Sequence, residues 1–176
     1  MKMNNNDRLV RLRYALDIKD AEMVEIFKLG GMELTKQEVQ KMLSKSKGNA
    51  ATDPEENENQ VNEYETSLEN SSFESFLNGF IVFKRGEQES KPGASPNQFL
   101  MTKDNRNVNN VLLKKLKIAL SLTSEDMLDI LIDAGVTISK SELSAVLRKE
   151  GQRNYKECGD RYARNFLKGL ALRYRE

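Results

Sequence analysis

One stretch of sequence occurs twice in this chain, and it decides the fold. Residues 5–43 read NNDRLVRLRYALDIKDAEMVEIFKLGGMELTKQEVQKML, and residues 109–147 read NNVLLKKLKIALSLTSEDMLDILIDAGVTISKSELSAVL. The two segments align without a gap at a constant offset of 104 residues. The positions that are identical in both copies are Asn5, Asn6, Leu9, Leu12, Ala15, Leu16, Met23, Ile26, Gly31, Lys36, Glu38 and Leu43. Internal self-similarity of this kind is the signature of a repeated structural unit, so the sequence predicts a duplication.

Each copy carries signals for three consecutive helices. In the first copy, Leu9, Leu12 and Leu16 recur at helical spacing, as expected for the buried stripe of an amphipathic helix. A second apolar stripe follows and ends at paired glycines, which commonly terminate helices. Thr35 and Glu38 then form a capping-box pattern that opens a third helix. The second copy restates all three signals.

A fourth helix closes each copy. Residues 76–80 (FLNGF) correspond to residues 166–170 (FLKGL), with apolar residues at i, i+3, i+4 and i+7 around them. Asn70 and Asp160 precede these apolar runs and are predicted to be N-caps. The sequence therefore predicts an all-α protein that packs two copies of a four-helix unit about an approximate two-fold axis. The helices around Phe76 should form much of the shared core with those around Phe166.

Gly79 and Gly169 interrupt otherwise strong helices at matching positions. Because a glycine inside a helix costs about 1 kcal/mol relative to alanine, its presence in both copies indicates a close approach of backbones. We expect this crossing to lie at the contact between the repeats.

The predicted domain boundaries follow from composition. The first repeat covers residues 5–86, a polar linker residues 87–107, and the second repeat residues 108–175. The first repeat contains an insert at about residues 44–70, with seven acidic and two basic residues and few large apolar ones. Such a composition cannot bury enough surface to offset ordering entropy, so we interpret the insert as a mobile loop.

Composition excludes several classes of function. The chain has no histidine and a single cysteine, Cys158, so it can form neither an ordinary structural zinc site nor a Ser-His-Asp or Cys-His arrangement. No Gly-rich nucleotide-binding loop is present, and we expect no cofactor or metal. No apolar run approaches the length of a membrane span, and the lone cysteine is typical of the reducing cytoplasm. We interpret Cys158 as a small packed residue; the alternative is a reactive thiol activated by a neighbouring helix N-terminus.

The net charge of +1 hides an uneven distribution. The insert carries −5, whereas the rest of the chain holds 26 basic and 20 acidic residues, or +6. The folded part is therefore mildly basic.

The second copy resembles a known family. The residues that carry the resemblance are 109–120 (NNVLLKKLKIAL), 154–160 (NYKECGD) and 165–170 (NFLKGL). They resemble the bacterial domain-of-unknown-function family 1456, the YehS-like duplicated helical proteins. The resemblance implies a bacterial, cytoplasmic setting, but it brings no activity, ligand or catalytic residue.

The second and third helices of each copy are similar to a helix-turn-helix unit. In a DNA reader, the outward side chains of the third helix could contact phosphate or bases. These candidate nucleic-acid contacts are Lys36, Gln37, Gln40 and Lys41 in the first copy, and Lys140, Ser141, Ser144 and Arg148 in the second. Capped helices around a glycine turn are also ordinary parts of helical bundles, so the bland alternative stays open.

A second candidate surface is a polyanion face on the first helix of each copy. It would be formed by Arg11, Arg13, Lys115 and Lys117. The alternative is a solvated surface with a few weak ion pairs to the following helix.

From these observations we predict a binding or regulatory module without catalysis, with a protein as the favoured partner. Nucleic-acid binding through the paired helix-turn-helix-like units is one alternative. An enzyme that uses carboxylate chemistry is the other. The oligomeric state stays open.

Overall fold

The computed structural model describes residues 3–44, 64–86, 107–148 and 152–174. Within these residues the chain forms eight α-helices and no strands, which confirms the all-α prediction. The helices are α1 (Asn5–Leu16), α2 (Asp20–Leu29), α3 (Lys36–Leu43), α4 (Asn70–Arg85), α5 (Val108–Ala119), α6 (Ser124–Asp133), α7 (Lys140–Leu147) and α8 (Asp160–Tyr174). The predicted linker between the repeats lies almost entirely outside the described residues.

Side-chain caps begin several helices where the sequence predicts them. The Thr35 hydroxyl accepts a hydrogen bond from the Glu38 backbone N–H at 3.1 Å, and Ser139 caps α7 through Glu142 in the same way. The prediction for the fourth helices was wrong by one position. Glu69 is the N-cap of α4, and Asn70 is already helical. Its side chain instead accepts a hydrogen bond from another helix, as described below.

The helices pack so that the two halves interlock. Inside the first half, α2 packs on α3 and α4; inside the second, α6 packs on α7 and α8. Between the halves, α1 packs on α8 and α4 packs on α5. One core runs through both halves, and its largest fully buried side chains are Phe27, Phe73, Phe76, Phe80 and Phe166. The first helix of each half therefore completes the core of the other.

The two predicted glycine crossings are close, but they lie inside each half. A Cβ on Gly79 would overlap the backbone carbonyl oxygen of Ile26, where α4 crosses α2. A Cβ on Gly169 would overlap that of Ile130, where α8 crosses α6. The prediction of a crossing between the repeats was wrong, because each glycine crosses a helix of its own half.

The end of the acidic insert is packed, in contrast to the predicted loop. Leu68 is buried, the Tyr64 hydroxyl donates to Asp7 at 2.6 Å, and the Glu65 N–H donates to the Ser44 carbonyl at 3.1 Å. The average composition of the insert did not reveal this packed end, because the few residues around Leu68 come after a long polar run. Residues 45–63 lie outside the described part of the chain.

Polar core and candidate binding surfaces

A buried asparagine in α1 ties three parts of the first half together. The Asn6 side-chain amide donates to the carbonyl oxygens of Met42 at 2.8 Å and Thr66 at 2.7 Å. Its Oδ1 accepts a hydrogen bond from the Leu68 N–H at 2.9 Å. Asn6 thus joins α1 to the end of α3 and to the segment that leads into α4.

Asn110 makes the same three bonds in the second half. Its amide donates to the carbonyl oxygens of Val146 at 2.9 Å and Lys156 at 2.8 Å, and its Oδ1 accepts from the Cys158 N–H at 2.9 Å. Because buried polar groups are costly when unpaired, each of these amides is a strong structural determinant. Sequence reasoning noted that the residue is identical in both copies but missed its role; a polar residue repeated inside an apolar helix was the available signal.

The preceding asparagines reach the starts of the fourth helices. Asn5 Nδ2 donates to the Leu68 carbonyl at 3.1 Å and to Asn70 Oδ1 at 2.7 Å. Asn109 Nδ2 donates to the Cys158 carbonyl at 3.1 Å and to Asp160 Oδ1 at 2.8 Å. Asn70 and Asp160 are therefore acceptors for side chains of the first helices as well as helix-start residues.

Arg8 lies between the halves and is 5% exposed. Its Nη1 donates to Asn5 Oδ1 at 2.9 Å, its Nε to Asn109 Oδ1 at 2.7 Å, and its Nη2 to Asp160 Oδ1 at 3.3 Å. Burial lowers the pKa of the Arg8 guanidinium, and the charge of Asp160 opposes this effect. One guanidinium thus joins the asparagines of both halves to a carboxylate.

The Asp160 carboxylate is stabilised in its charged form. Burial alone raises its pKa, but the Met3 N–H, the Asn109 amide and Arg8 together hold it below the ordinary value. The Met3 N–H donates to Asp160 Oδ2 at 3.0 Å, so the N-terminal segment is fastened to α8 as well.

A different polar cluster joins α4 to α5. Lys115 Nζ donates to Asn78 Oδ1 at 2.6 Å and lies 3.5 Å from Glu74 Oε2. Glu74 is fully buried and Lys115 is 8% exposed; burial lowers the pKa of Lys115 while Glu74 raises it. The placement of Lys115 on an open polyanion face was therefore wrong. Helical periodicity could not reveal its buried carboxylate partner, which lies far away in the sequence.

The other three members of that predicted face are half-buried. Arg13 pairs with Asp20 at 2.6 Å, as the ion-pair alternative predicted.

The candidate nucleic-acid contacts are mostly accessible. Lys36, Gln37, Gln40 and Lys41 are exposed on α3, and Lys140 and Ser141 are exposed on α7, whereas Ser144 and Arg148 are half-buried. Two of them have local partners. Gln40 donates to Asp20 at 3.3 Å, and Arg148 donates to the Arg153 carbonyl at 2.8 Å.

Cys158 is buried, as its interpretation as a packed residue predicts. Burial raises the pKa of its thiol to about 12, and the charge of Asp160 adds to the effect. Burial and the raised pKa both disfavour the thiolate, so they support the packed-residue interpretation over the reactive-thiol alternative.

A cleft of about 560 Å³ lies beside the start of α8. Its lining includes Val136, Ile138, Glu142, Lys156 and Tyr162. The Tyr162 hydroxyl oxygen is buried and has no hydrogen-bond partner among the described residues. The charged side chains that line the cleft are of both signs, so they do not select one class of ligand.

The described residues contain no group of three His, Cys, Asp or Glu side chains placed to hold a metal ion. In the same part of the chain, no helix is long and apolar enough to cross a membrane.

Fold and polar core together define an all-α protein of two interlocked four-helix halves. The chain belongs to the family described as "Protein of unknown function (DUF1456)", whose model matches residues 5–86 and 109–176. It is 36% identical over 171 residues to the "Uncharacterized protein YehS" of Escherichia coli (strain K12), an alignment that covers 97% of this chain and 96% of the relative. No solved structure matches the chain significantly. The predicted family resemblance is confirmed.

Proposed function

We propose that this protein is a non-catalytic binding or regulatory module of the bacterial cytoplasm that recognises a protein partner. We further infer that it arose by duplication of one four-helix unit and that an approximate two-fold axis relates the copies. The observation that carries the functional proposal is a group of exposed apolar side chains at one end of the α1–α8 pair.

Matching bonds support the duplication. Asn6 and Asn110 make the same three hydrogen bonds to corresponding backbone groups, and Gly79 and Gly169 make the same close crossing. The corresponding helices of the halves also follow in the same order and have nearly the same lengths.

The buried ionisable groups support a structural use of charge. Arg8 pairs with Asp160, and Lys115 pairs with Glu74, between helices of different halves. Catalytic groups typically line a cleft with perturbed pKa values. These four side chains are instead bound to one another or to asparagines, and none of them lines the cleft beside α8.

The exposed apolar group consists of Tyr14 in α1, and Leu172 and Tyr174 in α8. Tyr14 is 61% exposed and the other two are just over 40% exposed. The two helices start together, because Arg8 and Met3 both bind Asp160, and they pack against each other. Their last turns therefore lie at the same end of the molecule. Aromatic and apolar side chains are enriched in the centres of protein interfaces.

The test is affinity purification of the tagged full-length protein from bacterial cells, with quantitative mass spectrometry. The test variant replaces Tyr14, Leu172 and Tyr174 with serine. The matched control is Ile118→Ser, since Ile118 occupies the position of Tyr14 in the second half and is also exposed. We expect at least one protein to be recovered with the native chain and the control but not with the triple variant. Identical recovery in all three samples would contradict the proposal.

Nucleic-acid binding through α3 and α7 is the second candidate function. It is favoured by the accessibility of Lys36, Lys41 and Lys140, of which Lys36 and Lys140 occupy corresponding positions in the two copies. Fluorescence anisotropy with labelled duplex DNA at several salt concentrations tests it. The slope of log affinity against log salt concentration should become shallower when Lys36, Lys41, Lys140 and Arg148 are replaced. The expected change is about 0.9 for each phosphate that the variant no longer neutralises. An unchanged slope would count against this candidate.

A further inference from the structure

The two contacts between the halves occupy corresponding places but carry different charges. In the α4–α5 contact, Lys115 meets Glu74 and Asn78. The residue of α1 that corresponds to Lys115, at the offset of 104, is Arg11. The sequence motifs of the fourth helices align at an offset of 90, so Arg164 corresponds to Glu74 and Lys168 corresponds to Asn78. In the α4–α5 contact a lysine is thus neutralised by a glutamate, whereas the corresponding positions of the α1–α8 contact hold three cations.

The register of α1 on α8 supports this placement independently of the alignment. Arg8 contacts Asp160 at the start of both helices. Arg11 follows Arg8 by three residues, and Arg164 follows Asp160 by four, so each lies one turn further along the same side of its helix. Lys168 lies one turn beyond Arg164. The helices α4 and α5 are parallel in the same way. Lys115 meets Glu74, and further along both helices Arg85 donates to the Ile118 carbonyl at 3.1 Å.

Carboxylates among the described residues make no close ion pair with these cations, although the charge of Arg164 helps to lower the pKa of Asp160. Arg11, Arg164 and Lys168 form no ion pair there, and Arg161 at the start of α8 forms none either. The carboxylates of α1 and α8 that lie closest in sequence to Arg11 and Arg164 already accept other bonds: Asp7 accepts from the Tyr64 hydroxyl and the Asn4 N–H, and Asp160 accepts from Arg8, Asn109 and Met3.

Charge is also concentrated in this part of the chain. Residues 152–174 hold six basic and two acidic residues, for a net charge of +4. In each of the other described segments, acidic residues equal or slightly outnumber basic ones. The side chains are accessible enough to meet a ligand, since Arg161 and Lys168 are exposed and Arg11 and Arg164 are half-buried.

We propose that Arg11, Arg161, Arg164 and Lys168 form a basic seam that binds the phosphate backbone of a nucleic acid. Three of the four are arginines, whose planar forks bind phosphate oxygens in pairs. From Arg161 to Lys168 the helix rises by about 10 Å, which matches about three nucleotides at about 3.4 Å per nucleotide. The seam lies on α1 and α8, so it differs from both the α3 and α7 candidates and the apolar group at Tyr14.

The experiment compares two variants of the full-length protein that lose the same charge. The seam variant is Arg11→Gln, Arg161→Gln, Arg164→Gln and Lys168→Gln. The control variant is Lys19→Gln, Lys28→Gln, Lys84→Gln and Lys114→Gln, four cations that lie outside the seam and outside the α3 and α7 candidates. Each removes four positive charges, so a general effect of net charge would weaken both equally. Affinity for labelled duplex DNA and single-stranded RNA is measured by fluorescence anisotropy between about 50 and 200 mM salt.

The native protein and the control should bind with the same salt dependence. For the seam variant, the negative slope of log affinity against log salt concentration should become shallower. The expected change per phosphate no longer neutralised is about 0.9 on duplex DNA and about 0.7 on a single strand. The seam proposal is overturned if the native protein does not bind, if both variants weaken equally, or if only the control weakens.

Two further measurements keep the test decisive. Circular dichroism during heating shows whether the seam variant is folded; if it is not, Arg161→Glu with Lys168→Glu replaces it, because these two side chains are exposed and bear no described hydrogen bond. Vesicles that contain anionic phospholipid test the other source of phosphate. Binding to the vesicles, but not to nucleic acid, with the same dependence on the seam would overturn the nucleic-acid assignment in favour of a membrane surface.

Discussion

In the first half Asn6 holds the carbonyl groups of Met42 and Thr66, and in the second half Asn110 holds those of Val146 and Lys156. Between the halves this correspondence ends. Arg8, which pairs with Asp160, has the fully buried Leu112 as its counterpart. The bonds that close each half are thus the same, whereas the polar groups that join the halves differ.

This difference selects one arrangement of the interlocked helices. If α1 packed on the α4 of its own half, Arg8 would meet Asn70, a neutral residue, in place of the Asp160 carboxylate. Lys115 would likewise meet Arg164 in place of Glu74 if α5 packed on α8. Burying an unpaired charge is costly, so the two ion pairs disfavour these exchanges. Because the two halves have similar apolar surfaces, these surfaces alone discriminate poorly between the two possible fourth helices, and the ion pairs add the discrimination.

The largest expected effect comes from the asparagines that the halves share. Asn6→Ala and Asn110→Ala each leave two carbonyl groups and one N–H without their partner. At about 1 to 3 kcal/mol per buried unsatisfied group, each variant should lose about 3 kcal/mol or more of unfolding free energy. Urea denaturation followed by circular dichroism measures this loss.

If the halves are equivalent, the two asparagine variants should cost about the same. Asn165→Ala is the control, since Asn165 is half-buried and has no described hydrogen bond. A large cost for Asn6→Ala with none for Asn110→Ala would end the equivalence on which the comparison depends.

The next largest effect concerns the Arg8–Asp160 pair, which has no counterpart in the α4–α5 contact. Asp160→Asn removes the charge that compensates Arg8, and breaking a buried pair typically costs about 3 to 5 kcal/mol. Because the Asp160 side chain is 32% exposed, we expect a smaller loss of about 2 kcal/mol at neutral pH.

The same substitution should change the acid dependence of stability. The pKa of Asp160 is lower in the folded chain than its unfolded value near 3.8, so the unfolded state binds more protons as the pH falls through this range. Its contribution is present above the unfolded pKa and is lost as pH falls through the folded one. The stability difference between native protein and Asp160→Asn should therefore shrink below about pH 4. Asp129→Asn, on the exposed side of α6, is the control. A constant difference down to acid pH would contradict the role of the carboxylate charge.

Smaller, matched effects are expected at the two glycine crossings. Alanine at Gly79 or Gly169 gains helix propensity worth up to about 1 kcal/mol, but its Cβ collides with a backbone carbonyl. Because a backbone carbonyl cannot move away as a flexible side chain can, we expect the overpacking strain of about 1 to 3 kcal/mol to outweigh the gain in helix propensity in both halves. Leucine should destabilise more than alanine. Gly159→Ala is the control, because a Cβ there meets nothing within 4 Å. Thermal unfolding that leaves Gly169→Ala unchanged would show that α6 and α8 separate easily.

Much of the fold could be predicted from sequence because its signals are local. Apolar spacing and the caps at Thr35 and Ser139 depend on neighbouring residues, and the outward positions of Lys36 and Lys140 follow from the same helical period. The misplaced Lys115 shows what was missing: its partner Glu74 lies on another helix of the other half. Periodicity distinguishes inside from outside, but it does not identify which charged residue will be buried with which partner.

The smallest expected effect comes from shortening the acidic insert, which only the first half contains. The Glu65 N–H binds the Ser44 carbonyl, so the two ends of residues 45–63 are already adjacent, and a short Gly/Ser linker can join them. Replacing these residues should change the unfolding free energy by about 1 kcal/mol or less, in the stabilising direction, because a shorter loop costs less entropy to close. The informative comparison is a longer deletion that continues through residue 69. It removes the buried Leu68 and the Thr66 carbonyl that Asn6 binds, so it should destabilise by several kcal/mol more. Equal melting temperatures for both deletions would mean that the packed end of the insert, including the Thr66 carbonyl that Asn6 binds, contributes nothing to stability.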